Sequence, residues 1–564
     1  MARKVSRRRF LKAAGASSAG AVLLLAGCTP SATPAAPATS APAPTTAPAV
    51  SAPTEVPAAP TSAPAPTAAP TAAPTVAAQA STNTGKVLRI RLYSDIQNVD
   101  PSFLVSENDT DVAQTVMSGL VTYAPNSYNI QNDLAESIST SSDGLTVTFK
   151  LREGVKWQQG YGEVTTDDVK FSYERIADPA QKSAYHDDWG SLDHVEIVDK
   201  YNGKIIMKKP FAPLWHSTLP VTSGLIVCKK YVQQVGNDKF ATNPIGCGPY
   251  IFTSWQPKQK IVLTRNPDYF GTPPAYDEID FTPMDDDKAC EVALDSGEID
   301  FGRISAASIP RYQNNTDVKL WRKPSLRYRW IGMDVQNPKL QDINVRQAIR
   351  YAIDVDAIVK ATYQGQWQPE YALIPPGLVG YWADAPKYTR DVAKAKSYMQ
   401  QAGISSLDLR FDIENTSEYQ SWAAIAQQNL KDIGINLTIN PMDSSSFWNI
   451  GTGDAGKNVE LFEGNYSMEP DPMWAAEWFT CNQIGVWNWQ RWCDNDFDSL
   501  YQQGLSTMDD TARAAIYIKM QQIWDQACHS IWISYGEQDF GYSPQVQPAT
   551  SPHGIMQPAF FQPA

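Results

Sequence analysis

The chain has 564 residues, and its 60 acidic against 47 basic residues give a formal net charge of −13. This length exceeds what one hydrophobic core supports, so at least two domains are expected. The negative charge argues against nucleic acid as a partner, because phosphate binding requires a basic surface.

Residues 1–27 are predicted to form a cleavable export signal. Ser6-Arg7-Arg8-Arg9-Phe10-Leu11-Lys12 resembles a twin-arginine signal, and a Sec signal rich in arginine is the alternative. The apolar run that follows, residues 13–26, carries no charge. It is shorter than the roughly 20 residues of a membrane-spanning helix.

Leu25-Ala26-Gly27-Cys28 resembles a bacterial lipobox, which implies cleavage before Cys28 and a lipid on its sulfur. Residues 29–84 are nearly all Ala, Pro, Thr, Ser and Val, without an aromatic side chain. Such a segment cannot bury a core and is predicted to be disordered. We therefore predict a lipidated cysteine and linker over 28–85, which hold an exported protein at the outer face of the membrane.

The body after the linker mixes strand and helix periodicities, which indicates an α/β fold. Alternating apolar residues predict strands at 87–92, 145–151 and 435–440. Helical periodicity predicts helices at 166–176 with Thr166 as N-cap, 344–360, 391–402, and 421–433 ending at Gly434.

Seven cysteines are present, and six remain without Cys28. An even number outside the cytoplasm indicates disulfides. Cys481 and Cys493, which flank a Trp-rich loop, are the first predicted pair. The weaker candidates are Cys228 with Cys247, and Cys290 with Cys528 by elimination; free buried cysteines are the alternative.

Motifs for cofactors and catalysis are incomplete. Residues 451–458 nearly match a phosphate-binding loop, but Asn458 replaces the required Ser or Thr, and the flanking elements come in the wrong order. Residues 494–498 resemble the start of a calcium loop, but helix capping explains them better. The five histidines lack zinc spacing. We predict no catalytic residue, no metal and no cofactor; Glu469 with Asp471 as a hydrolase pair is the alternative.

Tryptophan is abundant, with 17 residues, and it clusters late in the chain. Trp474 and Trp478 are followed by Trp487, Trp489 and Trp492. Such rings pack in cores and also stack on ligands. For Trp487 and Trp489, both interpretations are kept.

Several motifs in fixed order resemble the extracytoplasmic solute-binding proteins of family 5, the peptide/nickel class that serves ABC importers. The similarity covers about residues 86–540. The segments that carry it are "TFKLREGVKW", "TTDDVKFSYERI", "NPIGCGPY", "INVRQAIRYAIDVDAIVKATYQG", "RDVAKAKSYMQQAGI", "EPDPMWAAEWFTC" and "RWCDNDFDSLYQQG".

The resemblance implies a two-lobed α/β fold of the periplasmic-binding-protein type 2, a Venus flytrap with an extra subdomain in the first lobe. The implied boundaries are 86–330 for lobe I, with its inserted subdomain at about 120–220, 331–529 for lobe II, and 530–564 for the return to lobe I. The crossing strands are expected near 327–335 and 529–537.

The implied function is a substrate-binding lipoprotein, not an enzyme, that captures peptides and delivers them to a membrane permease. It is expected to be a monomer, tethered by lipid in the cell envelope. An oligosaccharide ligand is the alternative within the family, and an exported hydrolase is the alternative of another class. Nickel is disfavoured, because the sequence has no histidine cluster.

The family's peptide-binding members hold the ligand's α-amine with an aspartate at the position of Tyr466. This departure leaves Glu463, Glu469 and Asp471 as candidate substitutes. The predicted ligand-binding residues are Ser106, Glu107, Asn108 and Asp109 in the first lobe, and Tyr466, Glu469, Asp471, Trp487, Asn488 and Trp489 in the second. Trp489→Ala is expected to weaken ligand binding at least about tenfold.

Overall fold

The computed structural model describes residues 86–104 and 106–564. The predicted signal, the lipidation site at Cys28 and the linker up to residue 85 lie outside the described residues. In the part of the chain that is described, no helix is both long and apolar enough to cross a membrane.

The strands in chain order are β1 Val87–Leu92, β2 Val121–Tyr123, β3 Ile130–Asn132, β4 Ala135–Thr140, β5 Thr146–Leu151, β6 Leu192–Ile197, β7 Asn202–Met207, β8 Tyr250–Gln256, β9 Lys260–Arg265, β10 Glu278–Pro283, β11 Phe301–Arg303, β12 Lys319–Pro324, β13 Arg327–Met333, β14 Leu407–Glu414, β15 Ile435–Met442, β16 Leu461–Ser467, β17 Ser530–Ser534, β18 Glu537–Tyr542, β19 Val546–Gln547 and β20 Gln562–Pro563.

The α-helices in chain order are α1 Glu107–Val116, α2 Thr166–Ala177, α3 Lys229–Val235, α4 Asn237–Phe240, α5 Asp287–Ser296, α6 Ile309–Tyr312, α7 Ile343–Ala352, α8 Val355–Thr362, α9 Val392–Gln401, α10 Ser417–Lys431, α11 Ser444–Phe447, α12 Pro472–Ala476, α13 Asn495–Ser506 and α14 Asp510–Ala527.

Two large sheets organise the fold. A seven-stranded sheet has the order β12-β18-β11-β1-β10-β9-β8, and a five-stranded sheet has the order β15-β14-β16-β13-β17. A four-stranded antiparallel sheet, β4-β5-β7-β6, lies within the range expected for an inserted subdomain. We call residues 86–324 with 535–564 the first part, and residues 327–534 the second part.

The chain passes between the two large sheets twice, from β12 to β13 and from β17 to β18. The two passages touch, because the Ser325 amide donates to the Gly536 carbonyl at 3.2 Å. Gly536 has φ +71°, and a Cβ there would lie 2.7 Å from the Trp367 ring. Only glycine fits this crossing without strain.

The local predictions are largely confirmed, with three corrections, the first being that the helix predicted over 421–433 spans Ser417–Lys431 with Asp432 as its C-cap. The predicted strands at 87–92, 145–151 and 435–440 match β1, β5 and β15. The N-cap of α2 is Thr165, one residue before the predicted Thr166. The single helix predicted over 344–360 is wrong, since the chain forms α7 and α8 with a break between them.

Asp354 causes this break. Its side chain accepts from the Ala357 amide at 2.8 Å, and its own amide donates to Asn429 Oδ1 at 2.8 Å. The side chain therefore caps a new helix instead of continuing the old one. The apolar periodicity runs through both helices because both bury one face in the same core.

Candidate ligand-binding cleft

Five aromatic side chains of the second part form a continuous surface, which we call the aromatic wall: Trp448, Tyr466, Trp474, Trp478 and Trp487. The Tyr466 ring lies 6.1, 6.2 and 5.8 Å from the rings of Trp448, Trp478 and Trp487. Trp474 extends the wall, 6.0 Å from Trp478. The four tryptophans are half-buried, so each offers a ligand apolar area.

Tyr466 holds the wall together from strand β16. Its hydroxyl donates to the Trp487 carbonyl at 2.6 Å, which fixes the position of the Trp487 backbone. On the same face of the strand, Gly464 lies opposite Trp330 of β13. A Cβ at Gly464 would come within 2.2 Å of the Trp330 ring, so the glycine allows that ring to lie flat against β16.

The loop that carries Trp487 is closed by a disulfide between Cys481 and Cys493, the first pair that the sequence indicates. Asn488 is fully buried inside this loop, and its side-chain amide donates to the Trp492 carbonyl at 2.7 Å. Asn488 thus supports the loop from within. The other four cysteines of the described residues are free and buried. This agrees with the alternative of free cysteines and not with the two weaker predicted pairs.

Trp489 faces the protein interior, with 1% of its surface exposed. Its ring covers Gly451, where a Cβ would lie 2.2 Å from the indole. The glycine-rich segment 451–458 therefore packs on an aromatic ring, and it ends in a short 3₁₀ helix over Ala455–Asn458. Gly451 allows the Trp489 ring to pack against the backbone of this segment. The segment also lacks the strand before and the helix after it that a phosphate-binding loop requires.

Glu469 follows the end of β16 and is half-buried. Burial raises the pKa of this carboxyl to about 7, and the negative charge of Glu107 adds to the effect. Glu107 belongs to the first part and Glu469 to the second, so the charges of these two predicted site residues interact between the parts. Among the described residues, no lysine or arginine forms a salt bridge with Glu469.

A second pair of carboxylates faces Glu477, next to the wall residues. Burial raises the pKa of Glu477 to about 7, with a contribution from Asp187 of the first part. Burial also raises the pKa of Asp188, and the charges of Glu469 and Glu477 raise it further. The Asp188 carboxylate accepts one hydrogen bond from Ser223 Oγ at 2.7 Å.

The early loop of the first part is fixed by local hydrogen bonds. Ser106 caps α1, and Asp109 completes a capping box with it. Asp109 also accepts from the Gln97 amide at 2.8 Å, and Asn108 donates to the Ser94 carbonyl at 2.9 Å. Asn108 and Asp109 are fully buried, so they position the loop, whereas Ser106 and Glu107 are half-buried.

Asp471 is fully buried and caps α12. Both of its carboxylate oxygens accept from Arg513 at 3.0 Å, and neither side chain is exposed. Glu463 is also fully buried, on the face of β16 opposite to Tyr466. Among the three candidate substitutes for the family's aspartate, Glu469 alone is half-buried and without an arginine partner in the described chain.

Positive charge also collects between the parts, close enough to Glu107 for the opposite charges to interact. Arg303 of β11 and Arg327 of β13 lie near enough for their charges to repel, and Tyr93 lies near both. The Arg327 side chain reaches Ser467 Oγ at 3.4 Å. The cleft therefore contains carboxylates and guanidinium groups, an arrangement that suits a ligand carrying both charges.

The two parts also touch away from these charges, at a contact that we call the rim: Ala212 and His216 with Leu505 and Asp510. The Ala212 amide donates to the Leu505 carbonyl at 2.8 Å. His216 Nε2 lies 3.1 Å from Asp510 Oδ1. These contacts hold the two parts together at the rim.

Sequence reasoning did not identify Trp448, Glu477, Asp187, Asp188 or the two arginines. The spacing Trp474, Glu477, Trp478 places an acid between two indoles on one helical turn, and it could have indicated Glu477. The others come together only through the fold. Within 86–104 and 106–564, no group of three metal-ligating side chains is placed to hold an ion.

Comparison with known proteins identifies the family. The model of "Bacterial extracellular solute-binding proteins, family 5 Middle" matches residues 129–486. The Dipeptide-binding protein of Escherichia coli K12 is 27% identical over 463 residues, which cover 76% of this chain and 86% of the relative.

Solved structures share the fold. The ABC transporter substrate-binding protein CtaP from Listeria monocytogenes aligns with a TM-score of 0.77 at 25% identity, over 85% of this chain and 99% of that one. DppA from Helicobacter pylori, solved with the peptide STSA, aligns with a TM-score of 0.71 at 24% identity, over 84% of this chain and 97% of that one.

These findings confirm the predicted two-lobed α/β fold of the periplasmic-binding-protein class, and they confirm a binding protein rather than an enzyme. The exported hydrolase is thereby set aside. The chain belongs to family 5 of the bacterial extracellular solute-binding proteins.

Proposed function

We propose that the protein is the substrate-binding lipoprotein of an ABC importer, which captures peptides between its two lobes and delivers them to a membrane permease. Two relatives are named for the ligands that they bind, dipeptides in one case and glutathione in the other. These names support a peptide ligand for this protein. The wall and the charged groups supply area and polarity for such a ligand.

Glu469 is the observation that carries the proposal. A carboxylate that is half-buried and without a cationic partner in the described chain is costly, unless a ligand brings the charge. The α-ammonium group of a peptide is such a charge. Glu469 thus takes the role of the aspartate that the family places at Tyr466, while Arg303 and Arg327 suit the terminal carboxylate.

The remaining predicted ligand residues belong to this proposal in different roles. Ser106, Glu107, Tyr466 and Trp487 border the cleft. Asn108, Asp109, Asp471, Asn488 and Trp489 are buried, and they would act on the ligand by holding the cleft residues in place.

We propose the lobe boundaries that the resemblance implies, and the path of the chain supports this proposal. Passages between the large sheets occur at 325–326 and 535–536, near the proposed borders at 330 and 530. The proposed inserted subdomain at about 120–220 contains the four-stranded sheet. Closure of the lobes on a ligand that touches both would be a population shift.

The lipid anchor is proposed from the lipobox at Cys28. A Cys28→Ser variant is expected to leave the membrane fraction and to retain its precursor mass, whereas the wild-type protein stays with membranes and carries added acyl mass. Wild-type protein without acyl mass would contradict the anchor.

Isothermal titration of the purified protein with di- and tripeptides tests the ligand class, and native mass spectrometry identifies any ligand that is carried through purification. Saturable binding of free peptides, lost when the N-terminus is acetylated, is expected. Binding of oligosaccharides but of no peptide would favour the second candidate, for which the aromatic wall is the supporting feature.

A further inference from the structure

The aromatic wall lies at the edge of the five-stranded sheet that is nearest to the first part. Strands β14, β15 and β16 run parallel, so their carboxyl ends share one edge, where Tyr466 ends β16 and Trp448 follows β15. The chain crosses to the first part at the same edge, since the Met468 amide donates to the Leu326 carbonyl at 3.2 Å. Ligands of open α/β sheets bind outside the carboxyl ends of the parallel strands, so the wall borders the cleft.

The rings of the wall pack directly on one another. The Trp487 ring lies 6.5, 5.8 and 5.7 Å from the rings of Trp448, Tyr466 and Trp478. A group inserted between two parallel rings would need about 7 Å, twice the contact separation of about 3.5–4 Å. The wall is therefore not a cage that encloses a cation, and it meets a ligand with its outer surface alone.

Neighbouring rings of the wall are tilted so that edges meet faces. The interplanar angle of Trp487 is 84° with Tyr466, 66° with Trp478 and 67° with Trp448. This packing is favourable because the positive edge of one ring meets the negative face of the next. A further ring laid on this surface continues the pattern, whereas an aliphatic side chain covers area without that charge distribution. The wall thus favours an aromatic group.

Two indole groups of the wall also lack acceptors. The Nε1 atoms of Trp474 and Trp478 are buried and have no hydrogen-bond partner among the described residues. Trp330 and Trp422 share this feature, but their rings are fully buried, whereas those of Trp474 and Trp478 are half-buried and border the cleft. An indole nitrogen only donates, and a buried donor without an acceptor is costly. The carbonyl groups of a peptide would supply the missing acceptors.

Resting on the proposed function, we propose that the cleft selects peptides that carry an aromatic side chain. This side chain packs on the outer surface formed by Trp448, Trp478 and Trp487, and carbonyl groups of the same peptide accept from the indoles of Trp474 and Trp478. A peptide with small side chains leaves the wall uncovered, so it gains neither the buried apolar area nor the ring contacts.

Titration calorimetry with three tripeptides that share their termini tests this selection: Ala-Phe-Ala, Ala-Leu-Ala and Ala-Ala-Ala. We expect Ala-Phe-Ala to bind at least about tenfold more tightly than Ala-Ala-Ala, a difference of about 1.4 kcal/mol, with Ala-Leu-Ala between them. Binding of Ala-Leu-Ala as tight as that of Ala-Phe-Ala would overturn the selection of a ring.

Equal binding of all three peptides would overturn the selection and leave peptide capture intact. Binding of none of them, with saturable binding of another ligand class, would overturn both the selection and the proposed function.

Substitutions in the wall locate the selecting surface. Trp478→Leu removes a ring and keeps an apolar side chain, and we expect it to lower the affinity ratio of Ala-Phe-Ala to Ala-Ala-Ala by about threefold or more. Trp448→Leu should do the same from another element, so the test survives if one variant does not fold, which thermal unfolding reveals.

Trp255→Leu is the matched control. Trp255 is half-buried on β8, the edge of the seven-stranded sheet farthest from β12, and its indole donates to Asp95 at 3.0 Å. This variant should keep the wild-type ratio. A wild-type ratio in both folded wall variants would overturn the assignment of the selection to the wall.

Discussion

Single residues of this cleft owe their roles to partners that lie far away in the chain. Asp471 and Glu469 are two positions apart, yet Asp471 is paired with Arg513 and the charge of Glu469 interacts with that of Glu107. A sequence shows three acids near β16 and cannot tell which of them is compensated. The structure distinguishes them, because a carboxylate gains a cationic partner only through tertiary contacts.

The Asp471–Arg513 pair is expected to be structural. Asp471→Asn removes the buried charge that pairs with Arg513 and leaves this guanidinium with only the exposed carboxylate of Asp510, 3.8 Å away, which should lower the free energy of unfolding by about 3 kcal/mol. Asp295→Asn is the control, since Asp295 pairs with Arg311 at the exposed surface and should contribute at most about 1 kcal/mol. Urea unfolding measures both. Equal losses would contradict a structural role for Asp471.

Glu469 should make the stability of the ligand-free protein depend on pH. Its pKa of about 7 in the folded state lies above its ordinary value of 4.5, so the folded state binds more protons between these values. The contribution of Glu469 to the free energy of unfolding therefore falls as pH rises through this window. We expect Glu469→Gln to match the wild type at pH 4, below this window, and to be the more stable protein at pH 8.

Urea unfolding at both pH values, without ligand, measures this effect, with Glu153→Gln as the exposed control. If the difference in the free energy of unfolding between Glu469→Gln and the wild type stays constant from pH 4 to pH 8, the carboxyl titrates in its ordinary range and the prediction is wrong.

Trp487 and Trp489 allow the two interpretations of the tryptophan cluster to be separated. The tenfold loss of affinity for Trp489→Ala stays a prediction. The buried ring adds an expected loss of stability of about 3–5 kcal/mol. Trp487→Ala, at a half-buried ring, should weaken ligand binding with a smaller loss of stability. Calorimetry and thermal unfolding of both variants measure the two quantities. Wild-type affinity in both would remove this loop from the site.

At the scale of elements, short periodic segments could be predicted from sequence, and their ends could not. β1 and β15 follow from alternation that each strand carries within itself. The break between α7 and α8 depends on Asn429 of α10, whose side-chain oxygen accepts a hydrogen bond from the Asp354 amide. The Cys481–Cys493 loop was visible from its spacing, but its buried Asn488 was not distinguishable from a ligand contact.

The rim contact should affect the rate at which ligand leaves. His216→Ala removes the hydrogen-bond contact between His216 Nε2 and Asp510 Oδ1, so the closed form should open more readily and release ligand up to about fivefold faster, as expected for one polar contact. His194→Ala is the matched control, because His194 pairs with Asp193 inside the first part alone. Stopped-flow tryptophan fluorescence measures the release rate. Equal rates for the two variants would show that the rim does not hold the lobes closed.

At the scale of the whole molecule, the family resemblance predicted more than periodicity did. The two-lobed α/β fold follows from ordered motifs, whereas the lobe boundaries and the position of the cleft stay predictions from the same motifs. The opposition of Glu477 to Asp187 and Asp188 depends on how the lobes meet, which no local pattern encodes.

Ligand should make the protein more compact. Because a peptide that touches both lobes favours their closed arrangement, the ligand-free lobes should spend more time apart. Small-angle scattering measures the radius of gyration with and without a peptide that calorimetry shows to bind, and this radius should fall on binding, while the same peptide with an acetylated N-terminus leaves it unchanged. An equal radius in all three samples would contradict closure on the ligand.

β1 has a mechanical consequence. It begins directly after the segment that would connect the globule to its anchor, and it lies inside the seven-stranded sheet with all six residues in register with β10 on one side. Tension applied through the N-terminus would shear this row of hydrogen bonds together rather than peel them one by one. The globule should therefore resist unfolding when the moving cell surface or surrounding polymer pulls on it.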